Sequence, residues 1–211
     1  MKTRIVCLAN SYKEGGRCVA GIELNKNKEL LCEKKWIRPI CKTMYGEIPT
    51  LLVKHIKPLD IIKFKITGNA SDGFQSENVL FDRKSLSRVG IFDKLQLSEL
   101  CDQQPPVLFG NKGKAVSEEG ISQLNSSLII IPATVFEIYE RKYEDKSNLQ
   151  VRIKFDYNSD EYDLPVTDPI FLDNYKNNKQ ILSEIQKLYL VVSLGILHEG
   201  WHYKLVATIL Y

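Results

Sequence analysis

The chain has 211 residues, 44% hydrophobic and 26% charged, which is enough apolar material for one large or two small folded domains and argues against disorder. Its formal net charge of +3 excludes a protein that is basic over its whole surface. The 5 cysteines are odd in number and contain no C-x-x-C pair, which argues against a disulfide framework or a structural zinc site.

Nothing in the sequence resembles an export signal or a membrane span. The longest apolar stretch, residues 188–197, has about half the length that a membrane-spanning helix needs, and Ser193 and Gly195 interrupt it. The apolar run that follows Met1 is too short for the core of a signal peptide. We therefore expect a cytoplasmic protein that does not associate with a membrane.

The charges are unevenly distributed along the chain. Residues 1–60 carry 12 Lys and Arg against 6 Asp and Glu, and residues 61–110 carry 6 of each. Residues 111–211 carry 11 Lys and Arg against 14 Asp and Glu. A basic first third joined to a mildly acidic remainder indicates one surface that faces a polyanion, although solvated surface positions are the better explanation for most of these lysines.

Short runs of β-forming residues separated by turn clusters dominate the first third of the chain. They predict four strands, over residues 3–9, 18–24, 30–40 and 60–67. In the fourth, Ile62 and Phe64 alternate with Lys63 and Lys65, which predicts one apolar and one charged face. A moderate helical spacing of apolar residues follows over residues 91–101. Ser117 and the two glutamates after it predict the start of a short helix.

The C-terminal part returns to strand patterns. We expect strands over residues 128–139, 149–157 and 161–166, and a helix over residues 180–188. A final hairpin is predicted from residues 189–197 and 202–210 with a four-residue turn between them. The carboxylates of residues 156–163 indicate a solvated loop rather than an acid–base pair. Several short strands and few helices in each half are typical of small barrels or sandwiches.

Residues 198–202 match the H-E-x-x-H zinc motif of metalloproteases. That chemistry needs a helix, because only there do histidines four residues apart point at one metal. The flanking sequences favour strands, and Gly195 and Gly200 disfavour a helix. No His, Glu, Asp or Cys follows His202 to supply a third ligand. We therefore expect no metal, no other cofactor and no catalytic residue.

A cluster of cations and aromatic residues in the first third is the best functional signal. Lys34, Lys35, Trp36 and Arg38 stand almost together, and a preceding loop carries Tyr12, Lys13 and Arg17. Cations contact phosphates, and flat aromatic faces stack on bases. The alternative is that Trp36 lies in the core and the cations are ordinary surface residues. Both interpretations remain open for Trp36, whereas we expect Arg38 to line a groove.

Four segments are distinctive when taken together: residues 5–11 (IVCLANS), 15–21 (GGRCVAG), 36–40 (WIRPI) and 202–207 (HYKLVA). They resemble the dual OB-domain family of prokaryotic proteins. The resemblance spans both ends of the chain but says little about residues 69–127. It implies two small OB-like β-barrels in tandem, over residues 1–110 and 115–211, in a mostly β chain with minor α content. It also implies a role in prokaryotic antiviral defence alongside a separate effector protein.

Two functions follow as hypotheses. In the first, the chain is a non-catalytic module that binds single-stranded or structured RNA or DNA, with a cationic groove and base stacking. Its candidate residues are Arg17, Lys35, Trp36 and Arg38, with Tyr12, Tyr203 and Lys204 in reserve. In the second, the barrels serve as docking surfaces of a protein–protein adaptor without nucleic acid, which the nearly neutral net charge favours.

Overall fold

A computed structural model of the chain describes residues 2–101, 105–143 and 149–211. The strands in these ranges are β1 (Lys2–Lys13), β2 (Gly16–Leu24), β3 (Trp36–Ile40), β4 (Asp60–Asn69), β5 (Asn78–Ile91), β6 (Ala115–Ser117), β7 (Leu128–Ala133), β8 (Phe136–Arg141), β9 (Gln150–Tyr157), β10 (Asp160–Pro165), β11 (Leu188–His198) and β12 (Trp201–Leu210). The α-helices are α1 (Thr50–Val53), α2 (Leu97–Leu100), α3 (Glu118–Ile121) and α4 (Pro169–Asn177). In the part of the chain that is described, no helix has the length and apolar composition needed to cross a membrane.

The chain divides into two compact units. The first contains β1–β5 and also residues 125–127, whereas the second contains β6–β12. In the first unit the strands close into a barrel in the order β1-β2-β3-β5-β4. Only the β3–β5 pair is parallel among these five strands. This is the five-stranded Greek-key arrangement of an OB barrel.

Alternation along β4 shows why the sequence forms this barrel. Ile62 and Phe64 are fully buried in its core, whereas Lys63 and Lys65 point away from it. A bulge in β1 and three in the β4–β5 pair bend the sheet enough to close it. Gly21 stands opposite the β1 bulge, where an added Cβ would lie 1.8 Å from the Val6 carbonyl oxygen. Only glycine fits at that crossing.

The second unit repeats the strand order of the first. Its sheets are β10-β9-β8 and β6-β12-β11-β7, and a parallel bridge from Val166 to Val206 joins β10 to β12. The chain bends between β7 and β8, so these two strands act together as the first strand of a second five-strand circuit. Helix α4 then occupies the place between third and fourth strands that α1 has in the first unit. The prediction of a mostly β chain with two OB-like barrels is confirmed.

Several predicted elements are confirmed and others are wrong in detail. The strand predicted over residues 128–139 is broken by the bend between β7 and β8. The strand predicted over residues 30–40 starts only at Trp36, and β5 was not predicted. The Ser117 cap is confirmed, because its hydroxyl accepts a hydrogen bond from the Gly120 N–H at 3.2 Å.

The helix predicted over residues 180–188 is wrong, because residues 180–184 form turns and β11 starts at Leu188. The helix lies earlier, at α4. Asp168 caps it by accepting hydrogen bonds from the Ile170 and Phe171 N–H groups at 3.0 and 3.1 Å, and Pro169 occupies its first position. A carboxylate cap followed by proline starts a helix more strongly than apolar spacing alone.

Candidate functional site

An open cleft of about 640 Å³ lies on the second unit, against β9 and β10 and beside the tip of the β11–β12 hairpin. We call it the β9–β10 cleft. Its basic and aromatic lining residues are Lys112, Lys114, Arg141, Tyr143, Arg152, Tyr162, His198, Tyr203 and Lys204. β9 and β10 are the second and third strands of this barrel, and OB barrels bind ligands on the face of those strands.

Lys204 lies at the bottom of the cleft and is only 1% exposed. Its ammonium donates hydrogen bonds to the Asn111 backbone oxygen at 2.7 Å and to Asn111 Oδ1 at 2.5 Å. It also lies 5.1 Å from the centre of the Tyr162 ring. Burial lowers the pKa of Lys204 from 10.5 to about 8, because the charged form loses its hydration.

The turn that presents Asn111 to Lys204 is strained. Phe109, a buried non-glycine residue, has a φ of 53°, and Gly110 after it has a φ of 76°. The Tyr162 hydroxyl donates to the Asn111 backbone oxygen at 3.3 Å and accepts from the Leu108 N–H at 3.2 Å. Burial raises the pKa of Tyr162, so this donor stays protonated at neutral pH. Strain of this kind persists only where surrounding contacts enforce it, and functional sites are common among such places.

An ion pair stiffens the wall of the cleft on β9 and β10. Arg152 Nε donates to Asp163 Oδ1 at 2.9 Å, and its terminal nitrogens reach Gln150, Tyr143 and the Asp163 backbone oxygen. The Tyr139 hydroxyl donates to the other oxygen of Asp163 at 2.8 Å. Arg152 is therefore committed to the wall rather than to a ligand.

The rim of the cleft carries two exposed cations next to tyrosines. The Lys114 ammonium lies 6.0 Å from the centre of the Tyr203 ring, and the Arg141 guanidinium lies 4.9 Å from that of Tyr143. Among the described residues, neither cation forms an ion pair with a carboxylate, in contrast to Lys112, which pairs with Asp160 at 2.7 Å. The rim can therefore contact anions and stack on planar groups.

The binding residues predicted from the sequence lie in several separate places in the structure. Tyr203 and Lys204 line the β9–β10 cleft. Tyr12 and Arg17 face each other across the β1–β2 pair of the first unit, where the guanidinium lies 4.3 Å from the tyrosine ring centre. Lys35 is exposed beside Glu23 at the other end of β2, roughly 20 Å from Arg17 at the usual rise of a strand.

Trp36 and Arg38 lie inside the first unit rather than in a surface groove. Trp36 is 7% exposed and Arg38 only 2%, and Ile37 and Pro39 on β3 are also buried. The Arg38 guanidinium pairs with the Glu77 carboxylate at 3.0 Å and donates to Ser127 Oγ at 2.6 Å. These placements fit the core interpretation, because both faces of β3 are covered and the charge has a buried partner.

The H-E-x-x-H segment forms the β11–β12 hairpin, as predicted, but with a tighter turn. Glu199 and Gly200 alone form the turn, both with positive φ, and His198 pairs with Trp201. Because opposite residues share a face and consecutive residues alternate, His198 and His202 point to opposite faces. The His202 ring lies 2.9 Å from the Gly195 oxygen. Within residues 2–101, 105–143 and 149–211, no group of three or more His, Cys, Asp and Glu side chains is placed to hold a metal.

Residues 3–209 match the family model of the dual OB-containing domain. The chain belongs to this family. No curated protein matches the sequence.

Solved structures resemble this dual OB-containing chain at low identity. A p204 HINb domain is 12% identical with a TM-score of 0.38, over 96% of this chain and 95% of that one. A murine DNA-binding protein bound with double-stranded DNA is 8% identical with a TM-score of 0.37, over 100% and 97%. A replication protein A heterotrimer bound to single-stranded DNA is 9% identical with a TM-score of 0.37, over 99% and 48%.

The sequence predicted only Tyr203 and Lys204 among the residues that line the cleft of this dual OB-containing chain. The net charge of residues 111–211 is acidic, so it did not indicate a cationic site there. In the fold, Asp160 and Asp163 are occupied by Lys112 and Arg152, which leaves other cations of the cleft without carboxylate partners among the described residues. The alternation of basic and aromatic residues in Tyr139–Glu–Arg–Lys–Tyr143 is the signal that could have revealed it.

Proposed function

We propose that this dual OB-containing chain binds RNA or single-stranded DNA in the β9–β10 cleft and catalyses no reaction on it. One observation carries the proposal. Lys114, Arg141 and Lys204 have no carboxylate partner among the described residues, yet they share a cleft with the half-buried Tyr143 and Tyr203. A neutral ligand such as a sugar chain would leave these three cations uncompensated. The phosphates of a nucleic acid would supply the negative charges that the described residues do not.

Binding combines phosphate contacts with stacking. Lys114 and Arg141 at the rim contact the backbone, while the Tyr143 and Tyr203 rings offer faces to the bases. Stacking on an aromatic side chain contributes about 1–3 kcal/mol per base and tolerates any sequence. The bound strand is therefore selected by shape and charge rather than by base identity.

The first unit contributes secondary contacts in this proposal. Tyr12 is 57% exposed, and Arg17 stacks against it at the end of the β1–β2 hairpin. Lys35 adds a cation at the distal end of β2. Trp36 and Arg38 support the barrel instead.

A salt-series titration tests the proposal. Fluorescently labelled single-stranded RNA and DNA and duplexes of both are titrated with the full chain at several salt concentrations. We expect affinity for single strands to fall linearly on a log–log plot, because each neutralised phosphate releases counterions. Absence of binding to every probe at low salt would refute the proposal.

Matched variants assign the binding to the cleft. Lys114→Gln and Arg141→Gln should each reduce the salt slope by about 0.7, the value for one phosphate contact with a single strand. Lys187→Gln is the control, because this exposed lysine precedes β11 and does not line the cleft. Equal slopes for all three variants would place the binding surface elsewhere.

An adaptor role is the second candidate. It is favoured by three exposed apolar side chains at the tip of the β11–β12 hairpin, Ile196, Leu197 and Trp201, which are 37%, 46% and 46% exposed. A separate effector protein, a role in prokaryotic defence and a cytoplasmic location remain predictions from the family resemblance and the sequence. Binding of a partner protein without any binding of nucleic acid would favour the adaptor.

A further inference from the structure

Among the described residues, no carboxylate pairs with the buried ammonium of Lys204. Its hydrogen-bond partners among the described residues are two oxygens of one neutral residue, Asn111. An ammonium has three N–H donors, so one donor remains for another acceptor. Buried charges in proteins are normally paired, because an isolated charge loses its hydration without compensation. The described part of the chain therefore leaves the Lys204 charge uncompensated at the bottom of the β9–β10 cleft.

Lys114 lies opposite Lys204 in the backbone register, one residue before β6. The Lys204 N–H donates to the Lys114 carbonyl oxygen at 2.8 Å, which continues the β6–β12 register by one residue beyond the Tyr203–Ala115 pair. Both lysines line the cleft. Like charges at directly opposed positions destabilise a sheet. Two opposed lysines without a carboxylate partner among the described residues therefore form a place for a ligand with more than one negative charge.

We propose that the Lys114–Lys204 pair binds a phosphate monoester, the phosphorylated end of the nucleic-acid strand that occupies the cleft. This inference rests on the proposed function and names the part of the ligand that the cleft selects. A phosphate monoester carries a charge of about −1.5 to −2 at pH 7 and three acceptor oxygens. A phosphodiester within a strand carries a single charge and has a sugar on each side.

Burial favours the end of a strand over its interior. Lys204 is 1% exposed, so a ligand reaches its ammonium only by extending a group downward into the cleft. A terminal phosphate projects beyond the last sugar and can do so, whereas an internal phosphate is held near the rim by both neighbours. Tyr203 lines the cleft with its ring centre 6.0 Å from the Lys114 ammonium, so it is placed to stack on the terminal base.

Competition binding with the full chain tests this. Ten-nucleotide single strands are compared with a 5′-phosphate, with a 3′-phosphate or with hydroxyls at both ends. We expect one phosphorylated form to bind at least about tenfold more tightly than the hydroxyl form, as one added charge-assisted hydrogen bond requires. Lys204→Met should abolish this preference, so that the variant binds the phosphorylated and the hydroxyl forms with equal affinity. Lys187→Met, the same change at a surface position, should leave the preference intact.

The outcomes separate this inference from the proposed function. Equal affinity for all three strands overturns end recognition and leaves nucleic-acid binding standing, whereas no binding to any of them overturns the proposed function itself. Adenosine 5′-monophosphate serves as a fourth competitor. If adenosine 5′-monophosphate displaces the labelled strand as effectively as the phosphorylated strand does, the ligand is a free nucleotide and not a strand end. A preference that survives in Lys204→Met would also contradict the assignment.

Discussion

Arg38 and Glu77 form an ion pair inside the first unit, with 3.0 Å between guanidinium nitrogen and carboxylate oxygen and no more than 3% of either side chain exposed. The pair lies where β3 and β5 run parallel, since the Arg38 N–H also donates to the Glu77 carbonyl oxygen at 2.8 Å. Ser127 completes it by donating its hydroxyl to Glu77 and accepting from Arg38. The pair thus ties three distant parts of the sequence together.

Replacing Arg38 should unfold the first unit rather than weaken a ligand contact. Arg38→Ala leaves the Glu77 carboxylate buried without a counter-charge, and breaking a buried pair in this way costs about 3–5 kcal/mol. We expect the midpoint of urea denaturation, followed by circular dichroism, to fall accordingly. Nucleic-acid affinity of the molecules that remain folded should stay unchanged.

The double variant Arg38→Met with Glu77→Leu provides the control. Both charges are then absent, so we expect it to recover most of the stability that Arg38→Ala loses. An unchanged denaturation midpoint for Arg38→Ala, together with weaker nucleic-acid binding, would restore the groove interpretation of Arg38.

The two tryptophans should respond very differently to truncation. Trp36 is 7% exposed, so Trp36→Ala leaves a cavity and should lower the free energy of unfolding by about 3–5 kcal/mol. Trp201 is 46% exposed at the hairpin tip, so Trp201→Ala should cost about 1 kcal/mol or less. Urea denaturation of both variants measures the contrast. Similar losses in the two variants would contradict the buried position of Trp36.

The stability of the second unit should depend on the protonation of Lys204. Burial lowers its pKa from 10.5 to about 8, so between these pH values the unfolded chain binds more protons than the folded chain. The free energy of unfolding should therefore rise with pH across this window, by up to ~3 kcal/mol at 1.36 kcal/mol per pKa unit.

Lys204→Met isolates this contribution, because every other titrating group is common to both proteins. The variant should be the more stable of the two at pH 7, and the difference should shrink as the pH rises from about 8 to 10.5. Denaturant titrations at four pH values measure it. Parallel stability curves for the two proteins would show that the Lys204 pKa is not lowered.

The H-E-x-x-H segment should bind no zinc. His198 and His202 lie on opposite faces of a hairpin, so their imidazoles cannot share one metal ion. Elemental analysis of the purified protein should find less than one zinc per ten chains, taken as about the level of adventitious metal for a site without its ligand geometry. Stoichiometric zinc that disappears in His202→Ala would contradict the hairpin geometry.

The reserve candidates Tyr203 and Lys204 lie in the cleft, whereas the leading candidates Trp36 and Arg38 lie in a core. The strand pattern of residues 30–40 includes Trp36 and Arg38, but it could not reveal that both sides of β3 are covered. Burial of a short strand depends on what packs against it, and Glu77 and Ser127 come from remote segments. The residues next to Trp36 and Arg38 in the sequence therefore do not predict these partners.

The sequence by itself determined the class of the fold. Strand alternation, turn clusters, the Ser117 cap and the family motifs near both ends express local preferences and burial periods that neighbouring residues impose on one another. Only the tertiary structure decided where the charges act. It pairs Arg38 with Glu77 and Arg152 with Asp163, and it places Lys114 opposite Lys204 in the backbone register, without a carboxylate partner for either lysine in the part of the chain described. Charge compensation acts through space over a few ångströms, so it depends on strand pairing between residues as far apart as 114 and 204, which a linear count of charges cannot contain.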